Sequence, residues 1–217
     1  MKIIRTASAT EALLDPLNAA WGSMPDKAFP LVPTPLNGNP AIKRVSPFIE
    51  KSTDHGTISE IRVAAVHNGA DIFVRLNWAS DKHDKIVDLD EFVDGAAVMF
   101  PLTKNASAFT MGSEKDPVNA WYWKANRESR AFDVVAQGYG TSRRTSSDKH
   151  PITSAAVHRD GRWALVLTRS MHAKDARAQF KPGGETGMAF VAWDGGNRER
   201  SGRKSFSGDF IRALIDA

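Results

Sequence analysis

Between residues 57 and 79, Ile61, Val63 and Ala65 alternate with Arg62, Ala64 and Val66. The chain then passes His67-Asn68-Gly69-Ala70-Asp71, after which Ile72, Val74, Leu76 and Trp78 alternate with Phe73, Arg75 and Asn77. Strand side chains point alternately to opposite faces, and Asn-Gly favours the tight turn that joins two antiparallel strands. This stretch is therefore predicted to be a β-hairpin. A second meander runs from Ile152–His158 through Arg159-Asp160-Gly161 into Arg162–Ser170. Further strands are expected at Lys27–Val32, Ala96–Leu102, Val118–Ala125, Asp133–Gln137 and Gly187–Trp193. Aromatics on both faces of Val118–Ala125 mark it as a buried central strand.

Only Thr10–Ala19 and Asp209–Ile215 read as helical. Pro16, Pro25, Pro30, Pro33, Pro35, Pro40 and Pro47 forbid long helices in the opening sixty residues and suggest extended segments joined by turns. Residues 80–94 read as a charged loop, and residues 137–149 as a mobile one rich in Gly, Ser, Thr and Arg. Many strands with frequent turns imply an all-β fold, an antiparallel β-sandwich with a few short helices, spanning residues 1–217 as one domain.

The 217 residues include no cysteine, which excludes disulfides, thiolate metal sites, iron–sulfur clusters and thioether-attached haem. Net charge is +4, from 29 basic and 25 acidic residues. That is too dilute for a nucleic-acid partner, although it permits docking to an acidic protein surface. No apolar run is long enough to span a membrane as a helix. The start, Met1-Lys2-Ile3-Ile4-Arg5, leads into polar sequence without the apolar stretch of a secretory leader. Taken literally this reads as cytoplasmic, and a mature chain that follows a removed leader has the same pattern.

Candidate chemistry is sparse. His55, His67, His83, His150, His158 and His172 show no metal-motif spacing and read as loop or strand-end residues. His150 and His172 are retained as secondary metal ligands. Asp84, Asp88, Asp90 and Glu91 lack the spacing of a calcium loop, and Gly-x-Ser-x-Gly is absent. Trp121, Tyr122 and Trp123 on their own suit a sandwich core. Met111 reads alone as core filler and Lys204 as a solvated cation.

Two segments change that picture. Met111 with Pro-Val-Asn-x-Trp-Tyr-Trp-Lys at 117–124, and Trp-Asp-Gly-Gly-Asn-x-Glu-Arg-x-Gly-x-Lys at 193–204, resemble the haem b (gamma) subunits of the type II dimethyl sulfoxide reductase family. That family includes the subunits of ethylbenzene dehydrogenase, dimethylsulfide dehydrogenase, chlorate reductase and selenate reductase. The resemblance covers roughly residues 15–215. It implies a haem-binding β-sandwich with one haem b, axial ligands Met111 and Lys204, and Trp121 and Trp123 beside the macrocycle. Lys124 and Lys181 are the nearest rival lysines; Arg143, Arg144, Arg200 and Arg203 are candidates for the haem propionates.

The resemblance further implies a non-catalytic, periplasmic electron-transfer subunit. Its partners would be a molybdenum-containing catalytic subunit, an iron–sulfur subunit and a soluble cytochrome c. A thioether is a soft ligand, and lysine ligates only as the neutral amine, so binding releases a proton. Two alternatives stand beside this reading. One is a carbohydrate-binding β-sandwich without haem, using exposed Trp and Tyr as a stacking platform; the other is a hydrolase using Asp88 or Asp90.

Overall fold

The alternating segments all become strands in the computed structural model, which describes residues 1–86, 91–127, 129–145, 151–173 and 175–217. The first half contributes β1 (Lys2–Arg5), β2 (Lys27–Pro30), β3 (Val32–Pro33), β4 (Glu60–His67), β5 (Asp71–Ala79) and β6 (Gly95–Pro101). The second contributes β7 (Val118–Lys124), β8 (Arg130–Ala136), β9 (Arg143–Thr145), β10 (Ile152–Arg159) and β11 (Arg162–Ser170). It ends with β12 (Glu185–Trp193), β13 (Ser205–Phe206) and β14 (Ile211–Ile215). Both turn-marked pairs form as expected: β4 pairs antiparallel with β5, and β10 with β11.

Ten of these strands close into a ring, in the order β14-β1-β4-β5-β11-β10-β8-β7-β6-β12, and β12 pairs back to β14. The all-β class therefore stands, but the strictly antiparallel sandwich gives way to a closed mixed barrel. The cause is β1, which lies parallel to both β4 and β14. Its insertion removes the free edges that β4 and β14 would otherwise expose.

The C-terminal segment is a second correction. Residues 211–215 form a strand, not a helix, with Ala213 and Ile215 buried and Arg212 and Leu214 exposed. So short a segment satisfies either period, and pairing to β1 and β12 decides. At the other end, helix α1 (Thr10–Leu14) is shorter than expected. Asp15 is extended (φ −79°, ψ 110°), as a residue before proline prefers, and Pro16 ends the helix. The proline-rich region also holds two short helices unseen in the sequence, α2 (Pro40–Val45) and α3 (Pro47–Glu50). Each begins with proline in its first turn, and the Asn39 and Ser46 side chains accept hydrogen bonds from the first free amides.

The barrel interior is filled by large side chains, including Trp78, Trp121, Trp123 and Trp163. The outer face of β6, β7, β8 and β12 carries smaller ones: Ala97, Met99, Ala120, Val134, Ala189 and Val191. These remain buried because the loops and short helices fold over them, and that covered shelf is where the site lies.

Candidate functional site

A cavity of about 550 Å³ separates this shelf from its cover, a volume in the range of small-molecule and cofactor sites. Ala97, Met99, Ala120, Tyr122 and Val191 form its floor, while Ile42, Val45 and Ile49 of the α2–α3 region roof it. Ala97, Ala120 and Val191 are small and leave the depth that a flat ligand needs. Met111 and Lys204 both line the cavity.

Met111 is held by an unusual backbone. It is a non-glycine residue at φ 57°, followed by Gly112 at φ 80°. Its amide donates to the Ala108 carbonyl at 3.2 Å, and its own carbonyl accepts from the Gly138 amide at 3.0 Å. A Cβ on Gly112 would come within 2.8 Å of the Asp116 carbonyl oxygen, so glycine is required where the loop turns back. A left-handed methionine costs on the order of 1 kcal/mol, and such strain collects at functional sites.

Lys204 is placed by the loop that follows β12. The Glu199 carboxylate, itself buried, accepts from the amides of Gly56 (2.7 Å), Thr57 (3.1 Å) and Asp194 (3.1 Å). The Gly195 amide donates to Asp94 at 2.9 Å, and a Cβ on Gly195 would stand 2.2 Å from the Phe92 carbonyl oxygen. Trp193 Nε1 donates to the Ser201 carbonyl at 3.1 Å. At the end of the loop, the Lys204 carbonyl accepts from the Thr34 amide (3.0 Å) and hydroxyl (3.1 Å). The Glu199 carboxylate and the Asp94 contact thus fix the loop that carries Lys204.

That lysine points at Met111. Lys204 Nζ lies 3.9 Å from Met111 Sδ and 5.3 Å from the Trp193 ring centroid. Burial alone lowers its pKa from 10.5 to about 8, with no carboxylate to hold the charge. A neutral amine facing a thioether is a donor pair for a soft metal. The two donor atoms already lie side by side in the cavity wall, so both could serve one metal.

The mouth of the cavity is cationic. Lys124, Arg144 and Arg200 line it. The Arg144 guanidinium lies 4.9 Å from the Phe132 ring centroid, and that of Arg200 lies 4.5 Å from the Phe92 ring. Lys124 has its pKa lowered by burial and then by Arg144 and Arg127. The pocket therefore suits a flat, apolar ligand with a negatively charged edge. Among the other candidate arginines, Arg143 is not in the lining, and Arg203 pairs with Asp54 at 3.2 Å.

The structure does not bring Trp121 and Trp123 to this cavity. They lie on the inner face of β7, in the barrel core, with Trp123 Nε1 donating to the Arg127 carbonyl at 3.0 Å. Strand alternation puts Tyr122 on the cavity side instead. Tyr122, which on sequence grounds reads with the two tryptophans as core, lines the cavity together with Met99 and Tyr139, and the 120/122/124 alternation is the signal that finds it. Lys181 lines none of the cavities described.

The described histidines line none of these cavities. His55 Nε2 pairs with the Thr34 carbonyl at 2.8 Å, His83 stacks on His158, and His172 is exposed. His150, Asp88 and Asp90 fall outside the described residues. Asp84 instead groups with Asp94 and Asp194. Asp94 is engaged by Trp163 Nε1 at 2.8 Å, the Ser80 hydroxyl at 3.0 Å and the Gly195 amide, which makes it a brace for the lysine loop. All six tryptophans are buried, so they offer no exposed stacking platform of the kind a carbohydrate-binding surface needs.

Comparison with known proteins converges on the same segments. Residues 18–153 and 144–205 match the family described as ethylbenzene dehydrogenase. A haem subunit attributed to a respiratory nitrate reductase of Haloferax mediterranei is 31% identical over 94% of the chain and 69% of its own length. The chlorate reductase gamma subunit of Ideonella dechloratans is 36% identical over 69% of the chain and 63% of its own length. Among solved structures, a family 9 carbohydrate binding module from Caldicellulosiruptor kristjanssonii, in complex with glucose, aligns with a TM-score of 0.53. That alignment has 7% identity and covers 100% of this chain and 95% of the module. At that identity the likeness concerns the fold alone.

Proposed function

The chain belongs to the ethylbenzene dehydrogenase family, and on that premise we propose that it is a haem b electron-transfer subunit of a periplasmic molybdenum oxidoreductase. In this reading residues 1–217 act as one haem-binding domain. It relays electrons between an iron–sulfur subunit and a soluble cytochrome c, while substrate chemistry belongs to a molybdenum-containing partner. The observation that carries the reading is the buried Lys204 amine beside the Met111 thioether, 3.9 Å apart in the wall of one cavity.

Met111 and Lys204 would hold the iron, and Arg144 and Arg200 at the cavity mouth would meet the propionates. Bound haem supplies reversible one-electron chemistry. Two protein donors to one metal would suit electron transfer over substrate binding. The apolar floor and the α2–α3 roof would limit water around a bound group, and a shielded site with a thioether donor would favour a raised potential. Burial lowers the Lys204 pKa to about 8, so ligation would displace a proton that the site holds more weakly than an exposed lysine does.

Purified chain mixed with haemin is expected to turn red, with a low-spin Soret band and sharp alpha and beta bands on reduction. Met111→Ala should lose the low-spin ferric spectrum or lower the midpoint potential; an unchanged spectrum would remove Met111 from the ligand set. Trp121→Phe should behave differently. It shrinks a core side chain and is expected to cost about 1–3 kcal/mol in urea titration while leaving the haem spectrum intact. A displaced Soret band in that variant would return the indole to the pocket.

A further inference from the structure

Beside the haem cavity lies a second cleft of about 790 Å³. The two share Phe92 and Arg200, so one wall separates them. The cleft differs sharply in character. Lys51, Arg198, Arg200 and Arg203 line it, against Asp54 as the one carboxylate among the described lining residues. Asp54 is already taken by Arg203 at 3.2 Å, and Arg203 still leaves its buried Nε–H without an acceptor among the described residues. At the edge stands Phe48, 69% exposed, on a helix that helps roof the haem cavity.

A cationic concavity with an exposed aromatic at its rim is not a surface that water alone favours. Arginine and aromatic residues are enriched at protein interfaces, where they supply much of the binding energy. Several like charges around one concavity also create a local positive potential that steers an oppositely charged partner. We propose that this cleft is the docking surface for an acidic redox protein, whose carboxylates meet Lys51, Arg198, Arg200 and Arg203 around Phe48. Docking there puts the partner's cofactor against the wall that Phe92 and Arg200 share with the haem cavity. This assignment rests on the haem reading for its purpose, though the cleft's affinity for acidic surfaces does not need haem to be present.

The test separates the two. Deca-glutamate peptide is titrated into the chain, with and without haemin, at low ionic strength and at about 0.5 M salt. Binding is expected at low salt and at least tenfold weaker affinity at high salt. The double charge reversal Lys51→Glu/Arg198→Glu should weaken binding at least tenfold. Arg159→Glu, in a turn that lines neither cavity, should leave it unchanged. Circular dichroism of each variant checks that the fold persists. In the haem-loaded, reduced chain, the double variant should slow oxidation by anionic ferricyanide about tenfold without slowing oxidation by cationic tris(phenanthroline)cobalt(III).

Peptide binding that is absent, or equally strong in the double variant, overturns the docking surface even if the protein is red. Equal weakening by Arg159→Glu does the same, because the effect is then one of net charge. A chain that binds the peptide in this cleft but takes up no haemin leaves the acidic docking surface standing and removes the haem reading.

Discussion

Lys204→Met is expected to make the ligand-free chain more stable at neutral pH while abolishing low-spin haem binding. The buried ammonium loses its proton near pH 8, whereas in the unfolded chain it does so near 10.5. At pH 7 both states are protonated, and the folded one bears the cost of an unpaired buried charge. The difference corresponds to about 3 kcal/mol. Between pH 8 and 10.5 the unfolded chain binds more protons, so wild-type stability rises with pH. Methionine fills a similar volume without the charge, and its advantage should therefore be largest below pH 8 and shrink towards pH 10.5. Urea titrations at several pH values, paired with haemin spectra, check both halves. A variant less stable than wild type at pH 7 would mean that Lys204 is not paying a desolvation cost in the free chain.

Glu199→Ala should act in the opposite direction, with a loss of about 3–5 kcal/mol. Its carboxylate is buried and accepts from three backbone amides as well as from the Thr57 hydroxyl (3.2 Å) and Asn197 Nδ2 (3.2 Å). Removing it leaves several donors without a partner, each costing about 1–3 kcal/mol unless water enters. The loop between Trp193 and Lys204 would loosen, so haemin affinity should fall along with the melting temperature. Glu199→Gln keeps one acceptor oxygen and should recover part of both losses. Haemin affinity that survives Glu199→Ala unchanged would show that Lys204 is positioned without the loop.

Much of this was legible before any coordinates. The Asn-Gly and Asp-Gly turns with flanking alternation identify β4–β5 and β10–β11, because the turn requires left-handed backbone and the period assigns faces. Met111 and Lys204 belong to the two segments that resemble a known family, and the fold brings them into contact across 93 positions of sequence. Neither residue's surroundings could be read from its own neighbourhood.

The aromatic run shows where such reading stops. Alternation requires Tyr122 to face away from Trp121 and Trp123, but both faces of β7 are buried, so no polar residue labels which side is the barrel interior. The same limit applies to closure. Residues 2–5 and 211–215 are too short and too far apart for local pattern to distinguish strand from helix or to join them, and their stability comes from pairing with each other and with β4 and β12. Local sequence set the strand periods, the turns and the identity of a thioether and an amine. Long-range pairing and burial assigned the faces, closed the barrel and stripped the lysine of water, because those energies depend on partners far away along the chain.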